Sequence, residues 1–208
     1  MNLLNYIWQF EGVLSKETCE RIIKAGLTVK KERALVGEMN KKTLTKKEES
    51  FLLKKRNSHV VWLNHPWIYE LIQPYIHLAN HNAGWNFEWS RTEEIQFTIY
   101  KPGQFYGWHT DSGDKPNTNL KSILTYGKIR KISTVVQLSD PSTYEGGLVQ
   151  LDPRQQDPEK KKKRHILTAS TKQGTITCFP SFVWHRATAI SKGVRYSIPM
   201  WSLGLPYK

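Results

Sequence analysis

Apolar residues are spaced in two different ways along the chain. Over roughly the first ninety residues they recur at helical intervals, and from Glu94 onward they alternate. Ser15 is placed to cap a helix whose apolar positions Cys19, Ile22 and Ile23 share one face, and Gly26 is the expected stop. Residues 30–55 are crowded with lysine and poor in apolar positions, the composition of a loop or an exposed helix. Pro66, suited to a first helical turn, opens a second helix. In it Ile68, Leu71, Ile72, Tyr75, Ile76 and Ala79 follow the 3.6-residue period, and Pro74 should kink it or split it in two.

In Ile95-Gln96-Phe97-Thr98-Ile99-Tyr100 the period becomes two, with Ile95, Phe97 and Ile99 on one face and Gln96, Thr98 and Tyr100 on the other. Further strands are expected over Ile132 to Leu138, Leu148 to Leu151, Gly174 to Phe179 and Val194 to Trp201. Turn signals separate them at Lys101-Pro102-Gly103, Asp140-Pro141-Ser142, Gly146-Gly147 and Lys192-Gly193. The fold class is therefore α+β and mainly β, a sandwich or jelly roll backed by helices. Residues 1–93 would form a helical support packed on a core of residues 94–208, the whole one compact domain. A strand with a polar inner face implies a wet interior, which is where a site would lie.

Composition narrows the class. The chain has 208 residues, of which 12% are aromatic, including 8 Trp and 9 Tyr, so it can build a dense core and is not a disordered tail. No run of about 18 apolar residues exists, so no helix is expected to span a membrane. The start, Met1 to Tyr6, lacks the basic-then-apolar pattern of a secretory signal, and Cys19 and Cys178 read as buried thiols of a reducing cytoplasm. The formal charge is +13, of which the run Lys160-Lys161-Lys162-Lys163-Arg164 supplies five units. That run reads either as a solvated loop or as an arm for nucleic acid or an acidic protein. Lys115 to Lys131 adds five basic residues and no acid, on what looks like a neighbouring loop.

Chemistry centres on Trp108-His109-Thr110-Asp111. In extended backbone residues two apart point the same way, so His109 and Asp111 can converge on one ion. His185 follows a strand and the turn Pro180-Ser181, and Arg195 and Ser197 share a strand face opposite Val194, Tyr196, Ile198 and Met200. An arginine on the polar inner face of such a strand requires an anion, and a planar guanidinium suits a carboxylate. Two histidines and one carboxylate leave three adjacent positions open on an octahedral metal, the facial triad of non-haem Fe(II) oxygenases. His77 and His81, four apart on the second helix, lack the glutamate of a zinc-protease motif, and His59 and His65 have no visible partners. Trp62, Trp67, Trp85 and Trp89 sit among apolar neighbours and are read as core. Tyr106, Trp108 and, more weakly, Tyr126 are candidates for the substrate entrance.

Residues 94–202 resemble the catalytic domain of the prolyl 4-hydroxylase-like, 2-oxoglutarate- and Fe(II)-dependent dioxygenases, the small bacterial and phage hydroxylases above all. The resemblance runs through Tyr100-Lys101-Pro102-Gly103, His109-Thr110-Asp111, Ser139-Asp140-Pro141 and Tyr144-Glu145-Gly146-Gly147. It continues through Gly174 to Pro180, His185 and Gly193-Val194-Arg195-Tyr196-Ser197 to Trp201. It implies a double-stranded β-helix holding Fe(II) through His109, Asp111 and His185. Arg195 would pair with the far carboxylate of 2-oxoglutarate, near Tyr100, with Ser197 and Gln137 as further cosubstrate contacts; some relatives carry a tyrosine at the Gln137 position. It also implies O₂ as oxidant, ascorbate as reductant, release of succinate and CO₂, and hydroxylation of an unactivated C–H bond in a peptidyl residue such as proline. The rivals are an AlkB-like nucleic-acid demethylase and a jelly-roll binding module without turnover. AlkB-like enzymes carry a second arginine six residues after the first, where this chain has Trp201.

Overall fold

Ser15 caps the first helix. In the computed structural model its hydroxyl accepts the Thr18 amide at 3.2 Å, and helix α1 runs Lys16–Thr28. Residues 3–29, 32–33, 45–113, 115–120, 123–154, 157–160 and 165–207 are described. The helix passes through Gly26 because that residue packs directly against Phe97, where any Cβ would overlap the ring. Helix α2, Lys46–Lys55, opens on a capping box between Thr45 and Glu48. Helix α3, Pro66–Asn82, is not split: it runs through Pro74, with Ile68, Ile72, Ile76 and Ala79 buried on one face.

Two antiparallel sheets make the jelly roll. The larger has the strand order Trp8–Phe10, Ile176–Pro180, Ile129–Gln137, Arg195–Gly204, Ile95–Tyr100, His59–Leu63, Glu32–Arg33, and short Arg91–Thr92 pairs with Arg195–Gly204. The smaller runs Leu167–Thr168, Val149–Asp152, Trp184–Ala187, Phe105–His109, Arg56–Asn57. Ile190–Gly193 and Tyr144–Gly146 form a separate ribbon. The first ninety residues are thus less helical than their spacing suggests. They contribute strands to both sheets, and His59–Leu63, with Val60, Val61 and Leu63 all buried, was hidden because it does not alternate.

Strand alternation divides the larger sheet into two faces. Phe97, Ile99, Ile132, Ile176, Ile198 and Met200 pack with Cys19, Ile22, Ile68, Ile72 and Ile76 of α1 and α3 into the main core. The opposite face, with Gln96, Tyr100, Arg195 and Ser197, looks into an open cavity of about 1470 Å³ between the sheets. Trp62 departs from the core assignment: it is 44% exposed and stands on the cavity wall. Trp85 is buried, Trp67 lies under Arg21, and Trp89 stacks on His77.

Lys161 to Arg164 lie outside the described residues. The described residues on either side, Arg154 and His165, are tied to Asp152, which is 1% exposed. Its carboxylate accepts Arg154 Nε and Nη2 at 2.9 and 2.7 Å and the His165 amide at 3.3 Å. The second basic stretch is not wholly a loop. Arg130 and Lys131 belong to the strand Ile129–Gln137, and the Lys131 ammonium is buried, donating to the Leu205 carbonyl at 2.9 Å.

Candidate active site

Strand register assembles the site. His185 stands directly opposite His109 across the smaller sheet, and Arg195 opposite Tyr100 across the larger one. His185 lies within its own strand, Trp184–Ala187, and not at the end of the preceding one. Asp111 follows Phe105–His109 and is moored there, since the amides of Asp111 and Ser112 both donate to the Ser181 carbonyl at 2.9 Å. The His109 and His185 Nε2 atoms approach Asp111 Oδ1 and Oδ2 at 3.5 and 3.2 Å. One ligand atom from each of the three lies within 4.8 Å of the others.

The protonation states suit a cation. Each imidazole uses Nδ1 to reach a backbone carbonyl two residues back, His109 to Gly107 at 2.8 Å and His185 to Val183 at 2.9 Å. Because a carbonyl can only accept, Nδ1 carries a proton in both rings and both Nε2 atoms are aimed inward. Burial, with His185 alongside, brings the His109 imidazole down to about 4, so it is neutral. Burial alone would raise Asp111, but His185 and His109 hold its carboxyl well below the usual range. The Ser133 hydroxyl donates to Asp111 Oδ2 at 2.7 Å and joins Ser181 Oγ at 2.9 Å, fixing the carboxylate's orientation.

A β-bulge decides which aromatic ring faces this cluster. Tyr106 pairs with Ala187 and His109 with His185, so three steps on one strand match two on the other. The bulge at Gly107-Trp108 turns Tyr106 onto the His109 face, where the rings stack at 3.5 Å. Burial pushes the Tyr106 phenol up to about 12. Trp108 leaves the cavity and lies beneath Arg186, 4.8 Å from its guanidinium, so it is not at the entrance. Tyr126 is half exposed on the following loop and does not line the cavity either.

Arg195 is 2% exposed and makes no ion pair with a carboxylate among the described residues. Its Nε donates to Gln137 Oε1 at 2.9 Å and its Nη1 reaches Ser197 Oγ at 3.4 Å. Gly147, at φ +61°, leaves the space it needs, since a Cβ there would stand 2.8 Å from Arg195 Cδ. Gln137 is not on the cavity wall. Its amide nitrogen donates to Tyr144 Oη at 2.8 Å and to the Ser139 carbonyl at 3.1 Å, so both ends of the side chain are engaged within the protein. Tyr100, its phenol raised by burial, stands on the wall with the Arg195 guanidinium 5.7 Å from its ring.

Four groups at the site had no signal in the sequence. Ser133 and Ser181 are ordinary serines until the sheet brings them to Asp111. Arg130 and Glu93 form a bidentate pair at 2.8 and 2.6 Å, with the guanidinium 3.8 Å over Trp201 and Nη1 3.9 Å from Asp111 Oδ1. Only the polar positions of an alternating strand could have nominated Ser133, and nothing local nominates the pair.

The triad meets the requirements of a divalent metal: two imidazoles with Nε2 turned inward and an ionised carboxylate, each oriented by a hydrogen bond, facing a cavity. Arg195 meets those of a distal carboxylate: a buried, preoriented guanidinium with no counter-ion among the described residues.

The model of the 2OG-Fe(II) oxygenase superfamily matches residues 95–203. A PKHD-type hydroxylase of Teredinibacter turnerae is 28% identical over 106 residues, 51% of this chain and 41% of the relative. A PKHD-type hydroxylase of Picosynechococcus is 32% identical over 107 residues, 51% of this chain and 40% of the relative. The match therefore spans about two fifths of the length of these curated relatives. Among solved structures, the viral collagen prolyl hydroxylase of Paramecium Bursaria Chlorella virus-1, in its 2OG complex, aligns with TM-score 0.66 at 19% identity, covering 97% of this chain and 98% of that one. A prolyl-4-hydroxylase of Pseudomonas putida aligns with TM-score 0.59 at 16% identity, covering 96% and 92%. A Trichoplax adhaerens prolyl hydroxylase in complex with a peptide fragment aligns with TM-score 0.61 at 15% identity, covering 96% and 84%. At these identities the structural likeness establishes the fold.

Proposed function

The chain belongs to the 2OG-Fe(II) oxygenase superfamily, and on that premise we propose that it hydroxylates an unactivated C–H bond in a peptidyl residue, with proline the first candidate. The observation that carries this reading is the co-location, on one cavity wall, of the triad and a buried arginine without a carboxylate partner among the described residues. Relatives described as PKHD-type hydroxylases and neighbours described as prolyl hydroxylases support the reaction type, and the neighbour bound to a peptide supports the substrate class.

In this reading His109, Asp111 and His185 hold Fe(II), and Arg195 and Ser197 receive the far carboxylate of 2-oxoglutarate beside Tyr100. Gln137 acts through Arg195 as a positioning residue. Bound there, Fe(II) with O₂ and 2-oxoglutarate supplies the oxidising chemistry that converts the cosubstrate to succinate and CO₂ and adds one oxygen to the substrate. The protein's part is geometric and electrostatic. The Nδ1–carbonyl bonds keep both imidazoles in the ligating tautomer, and Ser133 keeps the carboxylate from rotating. Tyr106 walls the imidazole of His109 from water, and its neutral phenol at neutral pH leaves the site's charge to Asp111 and the incoming ligand. Arg195 exchanges bulk water for the cosubstrate carboxylate in a buried setting, where a charged pair is strong.

A cytoplasmic location is part of the proposal. Cys19 and Cys178 are both buried and form no disulfide, which suits a reducing compartment. No described helix is long and apolar enough to cross a membrane.

The test is succinate formation by the purified protein with Fe(II), 2-oxoglutarate and ascorbate, then mass spectrometry of a proline-containing peptide library for a gain of one oxygen. His109→Ala and Asp111→Ala are expected to abolish both signals and to lose Mn(II) binding. Turnover that survives both substitutions would refute the ligand assignment.

A further inference from the structure

Beyond the triad, the cavity wall carries a surplus of cations. Arg195 has its role above, and Arg130 is held by Glu93. Arg186, also on the wall, donates to Gln150 Oε1 at 2.9 Å. Arg56, Arg91, Lys115 and Lys128 remain, none in an ion pair among the described residues, against one further wall carboxylate, Glu94. Arg91 and Lys115 are exposed at the rim, and Lys128, half buried, donates to the Leu124 carbonyl at 3.1 Å.

Arg56 is the most informative of these. It is only 8% exposed, yet it borders the cavity and its one described side-chain hydrogen bond is neutral, Nε to Ser58 Oγ at 3.1 Å. Its backbone is fixed where α2 ends, in the strand Arg56–Asn57 paired with Tyr106 and Phe105. The guanidinium sits 4.6 Å from the Tyr106 ring centre, and that ring stacks at 3.5 Å on His109. A permanent cation is thus buried one aromatic ring away from a ligand imidazole. Burying a guanidinium without an acid is costly unless an anion arrives to meet it.

The geometry points to an acidic polypeptide as the substrate. Its target residue would sit at the triad with a neighbouring Asp or Glu received by Arg56, and further acidic residues would follow the rim past Arg91, Lys115 and Lys128. This rests on the peptidyl-hydroxylase reading and gives it a substrate class. Single-stranded nucleic acid would use the same cations but also needs aromatic faces for its bases. Beside the triad those faces are taken, Tyr106 by His109 and Trp201 by Arg130, which leaves Trp62 as the exposed indole of the wall, one ring where a strand of bases needs several. A fork-shaped donor in a narrow buried setting suits a planar carboxylate.

The experiment uses proline-centred peptides that differ only in whether the flanking residues are Asp, Asn or Lys, with single-stranded oligonucleotides as a second arm. Oxygen gain and succinate are both read. The Asp series is expected to exceed the Lys series in kcat/KM by roughly tenfold or more, the scale of one charge-assisted hydrogen bond, and added salt should narrow the gap. Arg56→Glu should reverse the order. Equal turnover of the three series by the unaltered protein overturns the inference, whether or not the variant folds. So does an acid preference that persists in folded Arg56→Glu, or oxidation of the oligonucleotide in place of peptide. Succinate formation with no peptide of any charge gaining oxygen instead refutes the peptidyl-hydroxylase reading itself.

Discussion

Gln137→Leu isolates what holds Arg195, the arginine proposed to receive the cosubstrate, in place. Leucine is close to glutamine in volume, so the cavity keeps its shape while two polar ends vanish. Arg195 Nε loses its acceptor at 2.9 Å and the Ser139 carbonyl loses a donor at 3.1 Å. The orientation of the amide is fixed by chemistry: an arginine nitrogen needs an oxygen, and a carbonyl needs an N–H. A hydrogen bond to a charged group contributes about 1.5–3 kcal/mol, which converts to a loss of roughly 10- to 150-fold in 2-oxoglutarate affinity if all of it orients Arg195. Isothermal titration of 2-oxoglutarate into the Mn(II)-loaded protein reads this without turnover. Gln137→Glu sharpens the test, because a carboxylate at the same place gives Arg195 an internal counter-ion that competes with the cosubstrate. Its Kd should rise while the fold holds. A Kd within about twofold of the parent's in a cooperatively melting Gln137→Leu protein, a difference of about 0.4 kcal/mol, would refute the positioning role.

Two further outcomes follow from the packing. Ser133→Ala removes the 2.7 Å hydrogen bond to Asp111 Oδ2 and should weaken metal binding by roughly 10- to 100-fold, the usual effect of deleting a group that orients a metal ligand; competitive Mn(II) titration checks it, and an unchanged affinity would contradict it. Gly26→Ala should destabilise the protein although alanine favours helices, because the new methyl overlaps the Phe97 ring. An overpacking cost of about 1–3 kcal/mol exceeds a propensity gain of about 1 kcal/mol, so urea denaturation should show a net loss, and a gain would mean that Phe97 has room to move.

The chemistry was more legible in the sequence than the topology that delivers it. Residue type and strand parity point to His109, Asp111 and Arg195, and a place after a strand and turn points to His185; all four line one cavity. Parity fails just before His109. Tyr106 and His109 are three apart and should face opposite ways, yet the bulge at Gly107-Trp108 stacks them and sends Trp108 elsewhere. A bulge is a property of two paired strands, and one strand's sequence does not announce it. Gln137, expected only through the resemblance as a cosubstrate contact, meets Arg195 through its Oε1 and Tyr144 and Ser139 through its amide nitrogen, partners that one strand's sequence does not show. The helices were legible where an apolar face met a cap, as in α1. The N-terminal strands were not, since two-residue pairings such as Arg56–Asn57 carry no periodicity at all. Arg56 and Arg130 gain their meaning only from neighbours distant in the chain.

Asp152 joins the two ends of the segment that follows it, accepting Arg154 on one side and the His165 amide on the other. Its own strand is paired with Trp184–Ala187, which carries His185. The two anchor points of that segment thus share one carboxylate beside the strand that carries His185. Doubling the length of a closed loop costs only about 0.6 kcal/mol of closure entropy, so a segment clamped at both ends in this way can vary in length at little cost to the strand it leaves.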